Sequence, residues 1–246
     1  MSLKCGHSNP IIEALCEFQF IPSQPWDMTI PGLFYDKIKD RFPEKKQQIE
    51  LGIAFRPVEG GIEKQDIVSQ RMQFHNLEKT ALVQMGNDLL AVNHLRPYPT
   101  WAKFKPLILD NLIQYQKVAS PKGLNRIELR YINQIQFDKA PIEIKDYFHY
   151  FPSIPATLPQ MHEPLTMSVG IPYEDKNDGL TLTLTMLPKL PEGISFLLDL
   201  NYIMGVPGRI ALDQVSDWLE KTHTVIETAF EACITEKCQT LFKEKK

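Results

Sequence analysis

Ile12-Glu13-Ala14-Leu15-Cys16-Glu17-Phe18-Gln19-Phe20 and Leu129-Arg130-Tyr131-Ile132-Asn133-Gln134-Ile135-Gln136-Phe137 read as two copies of one pattern, each closing on apolar-Gln-Phe. In the first copy Ile12, Ala14, Cys16, Phe18 and Phe20 share a face, and Glu13, Glu17 and Gln19 share the other. Period-two alternation with one polar face predicts an antiparallel sheet covered on one side only. Each copy is followed by a helical pattern, several strands and a long closing helix.

Working outward from the first copy, Phe34, Ile38 and Phe42 lie four apart and predict a short helix stopped by Pro43. Strand patterns follow over 49–55, 67–75, 80–85 and 89–94, the last two joined by the hairpin signal Gly86-Asn87-Asp88. Trp101, Phe104, Ile108, Leu112 and Tyr115 keep helical spacing after Thr100. Pro106 lies too deep for a first turn, which predicts a kink or a later start. Lys122-Gly123 ends this half. The second half offers a strand over 126–137 and a short helix over 144–150. A stretch carrying Pro152, Pro155, Pro159 and Pro164 follows, then strands over 165–171, 180–186 and 194–202. A last helix carries Leu212, Val215, Leu219, Ile226 and Phe230 on one stripe, with His223 at its edge.

The expected fold class is therefore α+β. It consists of duplicated β-α-β(3–4)-α units, residues 1–121 and 122–246, in one continuous domain. Helices pack on one face of an antiparallel sheet, and the two first strands lie side by side across a pseudo-twofold. By topological analogy alone this is a TBP-like saddle or helix-grip arrangement, and the analogy carries no function.

The chain has 246 residues, of which 43% are hydrophobic and 23% charged, enough to build a sizeable core. Its net charge of −3 and the lack of a basic stripe disfavour a nucleic-acid binder. Cys5, Cys16, Cys233 and Cys238 show no C-x-x-C spacing, and no apolar run approaches a membrane span. The expectation is a cytoplasmic protein with reduced thiols and no membrane association.

No glycine-rich phosphate cradle, nucleophile elbow or His-Glu-x-x-His motif occurs, so the residues specify no cofactor and no metal. Among the histidines, His223 reads as a hydrogen-bonded interior residue rather than a catalyst.

Four stretches are similar to a sporadically distributed bacterial family of uncharacterised proteins of about this length. They are Pro10-Ile11-Ile12-Glu13-Ala14, Leu95-Arg96-Pro97-Tyr98-Pro99-Thr100-Trp101, Arg126-Ile127-Glu128-Leu129-Arg130-Tyr131-Ile132-Asn133, and His223-Thr224-Val225-Ile226-Glu227-Thr228-Ala229-Phe230-Glu231. The resemblance implies a bacterial cytosolic protein and assigns no catalytic residue.

Two groups of residues are candidate binding sites. The first is a polar floor on the sheet from Glu13, Glu17, Arg130 and Gln134, with Glu13 and Arg130 at equivalent repeat positions and able to pair across the seam. Its plain alternative is an ordinary cross-strand ion pair. Asp199 and Asn201 either face Arg130 or face water, and water is the simpler reading. The second group is Arg96, Tyr98 and Trp101, an Arg beside rigid aromatics in a proline-stiffened turn. Its plain alternative is a Trp plugging the core beneath a helix. Cys16 and Asn133 fall at equivalent inward positions, so the second copy must satisfy a buried amide that the first lacks.

The leading functional expectation is a non-enzymatic binding or interaction module for a protein or small-molecule ligand, with a homodimer admitted. The alternative is an enzyme with a site around Glu13 and Arg130, joined by Tyr131 and Asn133 at a bulge or strand end. Nucleic-acid binding by a saddle ranks third.

Overall fold

The computed structural model describes residues 9–58, 61–138, 141–155, 157–158, 165–173, 176–188 and 193–242, with backbone alone over 50–69. Its strands are β1 (Ile11–Ile21), β2 (Glu44–Val58), β3 (Gly61–His75), β4 (Ala81–Gly86), β5 (Leu89–Leu95), β6 (Gly123–Phe137), β7 (Thr166–Tyr173), β8 (Asp178–Met186) and β9 (Ile194–Met204). The helices are α1 (Ile30–Ile38), α2 (Trp101–Ala119), α3 (Val215–Cys233) and the short α4 (Glu236–Gln239).

All strands join one antiparallel sheet in the order β2-β3-β4-β5-β1-β6-β9-β8-β7. The quoted stretches form β1 and β6 and pair at its centre, Leu15 opposite Arg130 and Glu17 opposite Glu128. The sheet is continuous across the division between residues 121 and 122. The strand order reads β5, β4, β3, β2 outward from β1 and β9, β8, β7 outward from β6.

Alternation decides the two faces. Ala14, Cys16, Phe18, Leu129, Ile135 and Phe137 are fully buried on the helix side. There α2 buries Phe104, Ile108, Leu112 and Tyr115, spaced four, four and three apart, and Phe20 stacks on Tyr115 with ring centroids 4.2 Å apart. Helix α3 buries Val215, Leu219 and Ile226 over β6 and β9. Each such side chain contributes about 1.5–3 kcal/mol on leaving water.

Helix α2 begins at Trp101 with Pro106 inside it, so the later start is not found. The second-half helix over 144–150 shrinks to a 3-10 turn, Ile144–Asp146. The chain after α3 takes its backbone groups. Thr235 Oγ1 donates to Asp146 O (2.6 Å), Thr235 N to Tyr147 O (3.0 Å), and His149 N to Cys233 O (2.9 Å). With Phe148 bridged to Ile234, those groups cannot continue a helical ladder.

Candidate functional site

The sequence candidates separate onto the two faces of the sheet. On the helix side, an aromatic cavity of ≈ 450 Å³ opens between the start of α2 and the length of α3, above the β1–β6 pair. Its floor is Tyr131 and Asn133 of β6 and Leu200 of β9. Tyr98 and Trp101 wall it from the turn entering α2. His223, Ile226, Glu227, Phe230 and Glu231 line it from α3, with Phe242 beyond. Their spacing of three, one, three and one is a single helical face.

The side chains at the mouth hold one another in place. Trp101 stacks on His223 with centroids 4.2 Å apart and planes 9° from parallel. Its indole N–H donates to Glu220 Oε2 (3.2 Å), which also accepts from Lys105 (2.7 Å). Lys105 first, then the Trp101 N–H, hold the Glu220 carboxyl below the usual carboxylate range. Tyr98 meets Tyr131 edge-on, their hydroxyls 3.2 Å apart. Burial pushes the Tyr98 hydroxyl up to about 12 and raises Tyr131 further, so both remain protonated donors. Desolvation lowers His223 below its ordinary value of 6.5 and favours the neutral ring. Asn133, 3% exposed, donates from Nδ2 to Leu198 O (3.1 Å). That bond answers the buried amide expected at the position equivalent to Cys16.

Glu13, Glu17, Arg130 and Gln134 lie instead on the opposite face of the sheet, which carries no described helix. Glu13 and Arg130 do not form the expected ion pair. In register Arg130 stands opposite Leu15, and Glu13 opposite Ile132. Arg130 makes a two-pronged bond to Asp199, Nε to Oδ1 at 2.9 Å and Nη2 to Oδ2 at 2.5 Å, and Asp199 is its largest stabilising partner. Asp199 therefore faces Arg130 rather than bulk water, because Thr183 and Ile132 flank it in register.

Glu13 accepts from Asn93 Nδ2 (2.6 Å) at the end of an amide relay. Gln73 donates to Gln84 (3.1 Å), and Gln84 to Asn93 (3.0 Å). Glu17 binds Arg71 (3.1 Å), with Arg126 at 4.0 Å. Gln134 donates to Ser195 Oγ (3.2 Å) and accepts from Arg96 at 3.5 Å. Arg96 also reaches Pro10 O at 3.5 Å, and its buried Nε has no partner among the described residues.

The proposed grouping of Glu13 and Arg130 with Tyr131 and Asn133 is therefore absent. A register shift does occur in β1 between Ile11 and Glu13, but Tyr131 and Asn133 stay on the helix side. Of the sequence candidates, Tyr98, Trp101 and Asn133 converge, and Arg96 does not line their cavity.

His223 is a ring-stacked residue whose side chain makes no hydrogen bond among the described residues, not a hydrogen-bonded interior one. Glu227 and Glu231 flank the apolar stripe of α3 and carry no motif of their own in the sequence. The i, i+4 spacing of two carboxylates beside Ile226 and Phe230 was the available signal. Among the described residues no cluster of three or more His, Cys, Asp or Glu could hold a metal ion, and no helix is long and apolar enough to cross a membrane. Comparison with protein families, with curated proteins and with solved structures finds no match.

Proposed function

We propose that this chain is a non-enzymatic binding protein that takes a small ring-bearing molecule in the cavity between α2 and α3. The observation that carries the reading is the prebuilt Trp101–His223 stack standing over a cavity of ≈ 450 Å³. Concave, largely apolar cavities with a few converging polar groups are the usual form of ligand sites. A binding role fits the chemistry better than an enzymatic one. Tyr98 and Tyr131 are both driven away from ionisation, and neither can serve as a base near neutrality. The lack of a described Lys or Arg in the lining disfavours nucleic acid.

The duplication reading belongs to this proposal. The descending order of strands outward from both β1 and β6 supports a repeated unit whose copies diverged at Cys16 and Asn133. Of that pair, Asn133 lies in the floor of the cavity and Cys16 does not. Cys16 and Cys233 are free thiols, which suits a reducing, cytoplasmic setting.

Saturation-transfer NMR with indole, on the full chain, tests the proposal. Transfer is expected with the native protein. It should vanish in Ile226→Trp, which fills the cavity, and weaken in Phe230→Ala at its half-buried rim. Transfer unchanged in both folded variants, or none to the native protein, overturns it.

A further inference from the structure

We propose that the cavity selects an organic cation, a planar ring carrying an N–H donor and a protonated amine or amidinium. The inference rests on the binding reading above and specifies its ligand. Four independent features of the lining point the same way.

Asn133 comes first. It is 3% exposed, and its Nδ2 is committed to Leu198 O. Its Oδ1 has no partner among the described residues and belongs to a side chain that lines the cavity. That oxygen is an acceptor open to the cavity, so an N–H from a ligand is the group that completes this floor.

Glu227 and Glu231 come next. They stand one helical turn apart on α3, both line the cavity, and neither has an ion-pair partner among the described residues. Like charges at this spacing oppose each other on a helix by about 0.2–0.5 kcal/mol. A ligand cation between them removes that repulsion.

The walls make the third feature. Tyr98, Trp101, Tyr131, Phe230 and Phe242 line the cavity with aromatic rings. Ring faces attract ammonium and amidinium groups within about 6 Å.

Last is the charge balance. The described lining holds no Lys or Arg, and desolvation keeps His223 toward its neutral form. Nothing there answers an anionic ligand. The Tyr98–Tyr131 contact uses one hydroxyl proton and leaves the other free to donate. The lining is otherwise rich in acceptors. A ring N–H therefore goes inward to Asn133, and the charged nitrogen lies at the mouth between Glu227 and Glu231.

The test is isothermal titration of the full chain near neutral pH with three probes sharing an indole ring: tryptamine, tryptophol and indole-3-propionate. Tryptamine is expected to bind about tenfold or more tighter than tryptophol, the propionate weakest. Glu227→Gln and Glu231→Gln, both at exposed positions, should each weaken tryptamine several-fold and tryptophol much less. 1-Methyltryptamine should bind more weakly than tryptamine to the native protein, and equally to Asn133→Leu. Equal affinity for all three probes, each lost in Ile226→Trp, overturns the cation inference and keeps the cavity as a binding site. Tryptamine binding that neither glutamate variant alters also overturns it. No binding of any probe overturns both readings together.

Discussion

Arg71 of β3 reaches across two intervening strands to place Nη1 3.1 Å from Glu17 Oε2 of β1. The reach depends on what lies beneath it. In register Glu17 stands opposite Ala91, and Ala91 opposite Gln84. Arg71 Cγ passes 3.5 Å from the point where a side chain on Gly86 would begin. Two minimal residues therefore leave a channel over β4 and β5 in which the arginine stem lies flat. The side chains of Arg71 and Glu17 are 24% and 11% exposed, so this pair is far less screened than a surface bridge.

Ala91→Leu should lift Arg71 off the sheet and leave the Glu17 carboxylate with Arg126 alone. The expected loss of stability is about 1–3 kcal/mol, read from the urea midpoint. Arg71→Met should cost a similar amount. The two losses should not add in the double variant, because both remove one interaction. Additive losses would show that the arginine does not depend on Ala91.

The centre of the sheet was legible because alternation in β1 and β6 fixes which residues face the helices. Phe18, Phe20, Ile135 and Phe137 are buried as their spacing requires. The polar face was legible only in membership. Partner choice there depends on register and on strands distant in sequence. Asp199 stands beside Arg130 because β9 pairs with β6, and no local pattern in either strand states that. The cavity was half legible for the same reason. Tyr98, Trp101 and Asn133 carry local signals, whereas Glu227 and Glu231 acquire meaning only when α3 crosses β6.

The buried cysteines should resist reagents in the folded chain. Burial pushes Cys16 well above its ordinary range, with Glu128 and Glu17 adding to the rise, and raises Cys233 to about 11. The thiolate is the reactive form, so protonated buried thiols react slowly. In a Cys5→Ser background, Cys5 lying outside the described residues, an aromatic disulfide reagent should label nothing at the rate of a free thiol. Three equivalents should appear on adding denaturant. Rapid native labelling would mean that the core around Cys16 opens readily.

Stability should fall with acid through two half-buried imidazoles. Desolvation is the largest cause for both His94 and His223 and lowers each below the ordinary 6.5. The unfolded chain then binds more protons than the folded one. Their contribution is fully present above about 6.5, and it is lost as pH falls through the lower folded values. Glu128 has the opposite sign. Burial raises it above its ordinary 4.5, so its contribution is present at low pH and lost as pH rises through the folded value. His223→Phe keeps a ring beside Trp101 and removes one titration. Denaturation midpoints measured across mildly acidic pH should therefore vary less steeply in that variant than in the native chain. An unchanged slope would show that His223 protonates at no cost in the fold.

The Trp101–His223 stack should be worth more than the contact area of its rings. Parallel rings with centroids 4.2 Å apart and planes 9° from parallel leave little room for slippage, and the Glu220 bond to the indole N–H fixes the rotation of the tryptophan. Such aromatic pairs contribute about 0.5–1.5 kcal/mol beyond burial. A double-mutant cycle over Trp101→Leu and His223→Leu should return a coupling in that range from denaturation midpoints. Glu220→Gln should recover part of it, because an amide oxygen still accepts from the indole. A coupling near zero would mean that helices α2 and α3 hold their spacing without the stack. The wall at Tyr98 would then be held by its contact with Tyr131 on the floor instead, and Tyr98→Phe would become the variant that loosens indole binding.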